Sequence, residues 1–198
     1  MTLAELNALP ADRAAAELQR CCGSTRWARQ MAARRPFHSE TELTETANQI
    51  WASLERQDWL EAFAAHPRIG GGAPAAMPSR GQGNPRRGIG VSTRRGWGPA
   101  ANEKTSGIAG RESDWSADEQ SGVRSADDRV QQRLAEANRE YEHRFGYIFI
   151  VCATGKSASE MLTLLVERLH NVADRELTIA AAEQRQITQL RLRKLLNE

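Results

Sequence analysis

The stretch Tyr147-Ile-Phe-Ile-Val-Cys-Ala153 decides the fold class. It is apolar, β-branched and aromatic, carries no helical polarity, and is too short for a helix of its own, so it reads as an extended, buried segment. Helices flank it. Upstream, Val130, Leu134, Ala137 and Tyr141 recur at helical spacing between Ala126 and Arg144, and Gly146 follows the end. Downstream, Ser157-Ala-Ser-Glu160 is a capping box ahead of Met161, Leu162, Leu165 and Leu169. One extended segment between two helices cannot make a sheet.

Further out the pattern stays helical. Ser39 and Glu42 form another capping box, with Glu42 reaching back to the Ser39 amide, before a stripe of Ala47, Ile50, Trp51 and Leu54. Asp58 caps a helix from Trp59 to Ala65, which Pro67 stops. A last helix runs from about Asp174 to Leu196, with Leu177, Ala181, Ile187, Leu190 and Leu195 available for burial. The expectation is an all-α, single-domain helical bundle over residues 1–198, with six to eight helices and one short extended segment near 147–153.

The 198 residues carry 27 basic and 25 acidic side chains, a formal +2, and only 40% are hydrophobic. Residues 71–113 account for the dilution. They hold 10 of the 15 glycines and 4 of the 7 prolines, and seven basic against two acidic residues, a net +5. The rest of the chain, 20 basic against 23 acidic, is mildly acidic. Such a segment buries too little apolar area to offset its ordering entropy, so composition predicts a flexible Gly/Arg/Pro-rich insertion. Its RGQG, RRGIG and RRGWG units could contact RNA phosphates, with Trp97 stacking on a base. They are few and irregular, so nucleic-acid binding is the weaker reading beside a solvated insertion. No apolar run approaches the ~18 residues of a membrane span. The N-terminus has no secretory pattern, and the three cysteines make neither a disulfide framework nor a zinc spacing, so a reducing cytoplasm is the expected setting.

Several motifs have two readings. Ala153-Thr-Gly-Lys-Ser157 resembles the end of a phosphate-binding loop, but Ile150 stands where that loop needs its first glycine, so Ser157 is a helix cap. The histidines, His38, His66, His143 and His170, show no i, i+4 pair and no companion cysteine, so no metal site is expected. His66 ends a helix just before Pro67. There the helix dipole favours a protonated imidazole, suited to a proton donor or shuttle near neutral pH. A histidine at a helix end is nonetheless more often a plain C-cap. Ser116 and Glu119, by spacing alone, read as another capping box. Arg191, among leucines, needs a buried partner.

Taken together and in order, these fragments resemble the 2-oxo-4-hydroxy-4-carboxy-5-ureidoimidazoline (OHCU) decarboxylase family of urate degradation. The pieces are Phe63-Ala-Ala-His66-Pro67-Arg-Ile-Gly70, Trp115-Ser116-Ala-Asp-Glu119-Gln120-Ser-Gly122, Asn138 through Phe145-Gly-Tyr-Ile-Phe149 to Ala153, Arg168-Leu-His-Asn171, and Ile187-Thr-Gln-Leu-Arg191-Leu. Each piece is weak alone, and the ordered set is specific. The resemblance implies an all-α, homodimeric, cofactor-free carboxy-lyase converting OHCU to (S)-allantoin. It assigns catalysis to His66 and Glu119, and the substrate pocket to Pro67, Ser116, Gln120, Phe149, Val151, Ala153 and Arg191. Residues 149–153 would offer backbone groups to the ligand, since only non-helical backbone has free amides and carbonyls. The insertion departs from the family pattern and joins two pieces of that site. It is expected to be a neutral bulge, because a longer loop costs little to close. The competing readings are a binding module with a basic RNA-binding arm and an inactive member of the family.

Overall fold

The computed structural model describes residues 1–69 and 128–197, and among these residues every regular element is a helix. The order is α1 (Leu3–Ala8), α2 (Ala11–Cys22), α3 (Thr25–Ala33), α4 (Glu40–Ala52), α5 (Arg56–Ala64), α6 (Asp128–Phe145), α7 (Ala158–Arg168) and α8 (Ala173–Asn197). The expected all-α architecture is therefore present. Residues 71–113, expected to form the insertion, lie outside the described residues, as do Ala126 and Asp127 at the expected start of α6.

The first 35 residues, to which the sequence pattern assigns no element, hold three helices. Their cues are quiet. Thr2 and Glu5 make a capping box on α1, Ser24 caps α3, and the inward face of α2 is Ala14, Leu18, Cys21 and Cys22, where only Leu18 is a strong apolar signal. The Arg35 guanidinium gathers the loose carbonyls at the end of α1, Leu6 and Leu9 both at 2.7 Å, which are acceptors a short helix cannot satisfy itself.

Two local expectations shift. α5 begins at Arg56, three residues before Trp59, because Asp58 works from inside the helix: its carboxylate accepts the Glu55 amide at 3.0 Å. On α4, Ser39 Oγ accepts from the Glu42 amide as expected, but the Glu42 carboxylate accepts from the amide of His38, at 2.7 Å, instead of that of Ser39.

α8 packs against α2, α4 and α5, while α6 and α7 pair with each other. Its buried face carries Leu177, Ala180, Ala181, Gln184, Ile187, Thr188, Arg191, Leu192 and Leu195. Trp51 locks α4 to it by donating from its indole nitrogen to the Ala181 carbonyl at 2.9 Å.

The segment 147–153 is not helical and is largely buried, as its composition predicts. Side chains replace the missing neighbouring strands. Arg168 Nη1 donates to the Ile150 carbonyl at 2.8 Å, Glu183 accepts the Cys152 amide at 2.6 Å, and Lys156 Nζ donates to the Cys152 carbonyl at 2.6 Å. Behind it lies a buried polar knot: Glu176 accepts from Tyr141 Oη, from Arg168 Nε at 2.8 Å and from Asn171 Nδ2 at 2.7 Å. The Arg168 guanidinium also stacks 4.6 Å from the centre of the Phe149 ring.

Candidate active site

α5 delivers His66. Its last turn closes through the His66 amide donating to the Phe63 carbonyl at 3.1 Å, and Pro67 turns the chain away. The turn is pinned from two sides. Gly23, at φ 87°, lets α2 end against it, its position for a Cβ lying only 2.7 Å from Ala65 Cβ. From α6, Glu142 grips Arg68 bidentately at 2.5 and 2.8 Å, and Asn138 Nδ2 donates to the Ile69 carbonyl at 2.8 Å. Arg68, Asn138 and Glu142, which belong to the ordered fragments of the resemblance but were given no site role by it, thus hold the histidine's turn.

His66 and Pro67 form one wall of a small concavity of about 20 Å³ with Ile69, Phe149, Ile150, Val151, Ala153 and Ile187. Five sequence-expected residues meet here: His66, Pro67, Phe149, Val151 and Ala153. Room of that size accommodates a water molecule. The backbone alternates. The carbonyls of Ile150 and Cys152 and the Cys152 amide are taken by side chains, and the Ala153 carbonyl accepts the Lys156 amide at 3.0 Å. Among the described residues nothing pairs with the Val151 amide or carbonyl.

Arg191 is buried one turn beyond Ile187 on α8, but is not on the wall of the concavity; it reaches His66 by its charge. Burial first, and that charge second, drive the His66 imidazole down to about 3, while a polar contact from the Gln184 side chain works the other way. The protonated ring expected from the helix dipole is therefore corrected. Desolvation and a like charge nearby outweigh a half-charge at a helix end, and the resting ring is neutral. Burial likewise pushes the Cys22 thiol up to about 12 and Cys21 further, so neither is a nucleophile.

Ser116, Glu119 and Gln120 lie outside the described residues. Gln184, which sequence reading passes over, is fully buried beside His66. A glutamine in a helix is ordinary, and only its helical phase, three residues before Ile187 and seven before Arg191, could have flagged it. Among the described residues no three His, Cys, Asp or Glu side chains cluster as metal ligands, and no helix is long and apolar enough to cross a membrane.

Known proteins share the sequence pattern and the fold. The sequence model of the OHCU decarboxylase family matches residues 7–86 and 100–193. The chain is 37% identical over 179 residues to the uric acid degradation bifunctional protein TTL of Arabidopsis thaliana, covering 90% of this chain and 46% of that protein. It is 35% identical over 77 residues to a 2-oxo-4-hydroxy-4-carboxy-5-ureidoimidazoline decarboxylase of Amia calva, covering 39% of this chain and 44% of that one. The match thus spans less than half the length of either curated relative. Among solved structures, an OHCU decarboxylase crystallised in the presence of (S)-allantoin superimposes with a TM-score of 0.66 at 34% identity, over 92% of this chain and 99% of that one. An (S)-allantoin synthase shares the fold, with a TM-score of 0.63 at 15% identity, over 99% of this chain and 54% of that one.

Proposed function

The chain belongs to the OHCU decarboxylase family, and from that premise we propose that it decarboxylates OHCU to (S)-allantoin, using His66 to handle the proton. The observation that carries this reading is the meeting of His66 in one concavity with Val151, whose backbone has no partner among the described residues. A neutral, partly buried imidazole beside an amide donor and a carbonyl acceptor suits a polar ring that must lose CO2 and gain a proton.

The bond from the hydroxyl-bearing ring carbon to its carboxylate breaks, CO2 leaves, and the electron pair delocalises into the ring. The ring nitrogen that takes up the pair is protonated from solvent, and the hydroxyl proton is lost as the carbon that bore it becomes a carbonyl. A proton is added on one face of the neighbouring carbon, which sets the product's hand. A neutral His66 can accept the hydroxyl proton and deliver the one added to carbon. The substrate's negative charge, on the carboxylate before CO2 leaves and on the ring afterwards, favours the imidazolium while the proton is held, and protonation of the ring removes that charge and returns His66 to a site that disfavours its own. Arg191 serves best against a carbonyl oxygen, where charge grows. An ion pair to the departing carboxylate would stabilise the ground state instead.

The concavity is the floor of the site in this reading. By resemblance, Glu119 polarises the proton relay or accepts from the ring hydroxyl, and Ser116 and Gln120 hold the ring and ureido groups. The same reading has the protein working without a cofactor, as a homodimer in the cytoplasm. The departure from the family, expected over 71–113, narrows to residues 87–99, because the family's sequence model also matches 71–86 and 100–113.

The test is circular dichroism of OHCU generated in place from urate, since spontaneous decay gives racemic allantoin. The wild-type protein should give a fast, lasting (S)-allantoin signal, and His66→Ala should fall to the uncatalysed rate. Wild-type protein that yields only racemic product at the uncatalysed rate would overturn the reading.

A further inference from the structure

Gln184 is fully buried on α8, and its hydrogen bonds fix which way its amide points. Nε2 donates to the Cys22 carbonyl at 3.1 Å and approaches Thr188 Oγ1 at 3.4 Å. The first partner has no hydrogen to give, and the hydroxyl of Thr188 donates its own to the Gln184 backbone carbonyl at 3.0 Å. Turning the amide over would set oxygen against oxygen, so the NH2 belongs on this side and Oε1 on the other. Oε1 is enclosed and has no hydrogen-bond partner among the described residues. The same holds of Nε2 of His66, whose ring is in polar contact with the Gln184 side chain. One enclosed acceptor and one enclosed ring nitrogen, each lacking a partner, satisfy each other only if the nitrogen bears the hydrogen.

We propose that Gln184 is the positioning residue that sets the tautomer of His66: its side-chain oxygen receives Nε2–H, leaving Nδ1 as the bare, proton-accepting nitrogen. This inference rests on the decarboxylase reading for its catalytic consequence, though not for the tautomer itself. A neutral amide does here what a carboxylate does for the histidine of a hydrolytic triad, with one difference. It orients the ring and selects the nitrogen without stabilising the imidazolium by a full charge, so the proton taken at Nδ1 is readily given back.

Nitrogen-15 NMR of the full-length protein, with the His66 ring assigned by difference from His66→Gln, reads the tautomer directly. Wild type should show a protonated Nε2 and a bare Nδ1 at neutral pH. Gln184→Met, of similar size but without the acceptor, should mix the tautomers and lower kcat by at least about tenfold with KM nearly unchanged. Gln184→Glu, whose protonated carboxyl still donates to the Cys22 carbonyl and turns its other oxygen to the ring, should keep Nε2 protonated. A protonated Nδ1 in wild type, or a Gln184→Met protein with unchanged tautomer and kcat, would overturn the proposal. Absent OHCU turnover in wild type would instead sink the decarboxylase reading, while the NMR result still decides the tautomer.

Discussion

At the scale of single residues, His66 shows how a local rule loses to its surroundings. The end of α5 offers a proton-stabilising dipole, but burial and the Arg191 charge bring the imidazole down to about 3 from its ordinary 6.5. The consequence for stability has a definite sign. Between these two values the unfolded chain binds a proton that the folded chain refuses, so stability is present above about pH 6.5 and falls as the pH drops towards 3. His66 should contribute at most about 2 kcal/mol of that loss by about pH 5. Melting temperatures at about pH 7 and about pH 5 should therefore differ less for His66→Gln than for wild type. Equal differences would mean that the histidine is not held neutral by the fold.

At the scale of elements, the junctions around the site carry the sharpest constraints. Gly23 ends α2 in the left-handed region, and a Cβ there would meet Ala65 Cβ at 2.7 Å and the Ala62 carbonyl oxygen at 3.1 Å. Neither neighbour can rotate away. Gly23→Ala should cost about 2–4 kcal/mol, from backbone strain and overpacking together. Gly155→Ala shares a positive φ, 78°, but meets nothing within 4 Å, and should cost only about 1–2 kcal/mol. Denaturant midpoints of the two variants make the comparison. The non-helical segment depends on side chains in the same way. Arg168→Met frees the Ile150 carbonyl and strips the buried Glu176 carboxylate of its ion pair, so it should destabilise by about 3–5 kcal/mol. A loss below about 1 kcal/mol in urea unfolding would show that the knot is better solvated than its burial implies.

At the scale of the whole molecule, residues 87–99, which the family's sequence model skips, provide the last prediction. Replacing them by a short Gly-Ser linker should leave (S)-allantoin formation within about twofold, since loop length contributes little to the free energy of closure. Racemic product after that replacement would make the segment part of the site. α4, α7, α8 and the non-helical segment were legible in the sequence because capping boxes and 3.6-residue stripes are local signals, and a lone β-branched run between two helices has few other readings. α1 to α3 were not, because Ala and Cys on their inner faces are weak signals. His66, Pro67, Phe149, Val151 and Ala153 were recognisable only as ordered fragments of a family pattern, since no spacing rule joins residues so far apart in the chain. The sequence by itself determined the helices, their caps and the family. The tertiary structure decided the neutral state of His66, the burial of Gln184 beside it and, among the described residues, the lack of a partner for the Val151 backbone. All three depend on which groups share a low-dielectric space and which hydrogen bonds are already taken, and those are properties of packing between α2, α5, α8 and the non-helical segment.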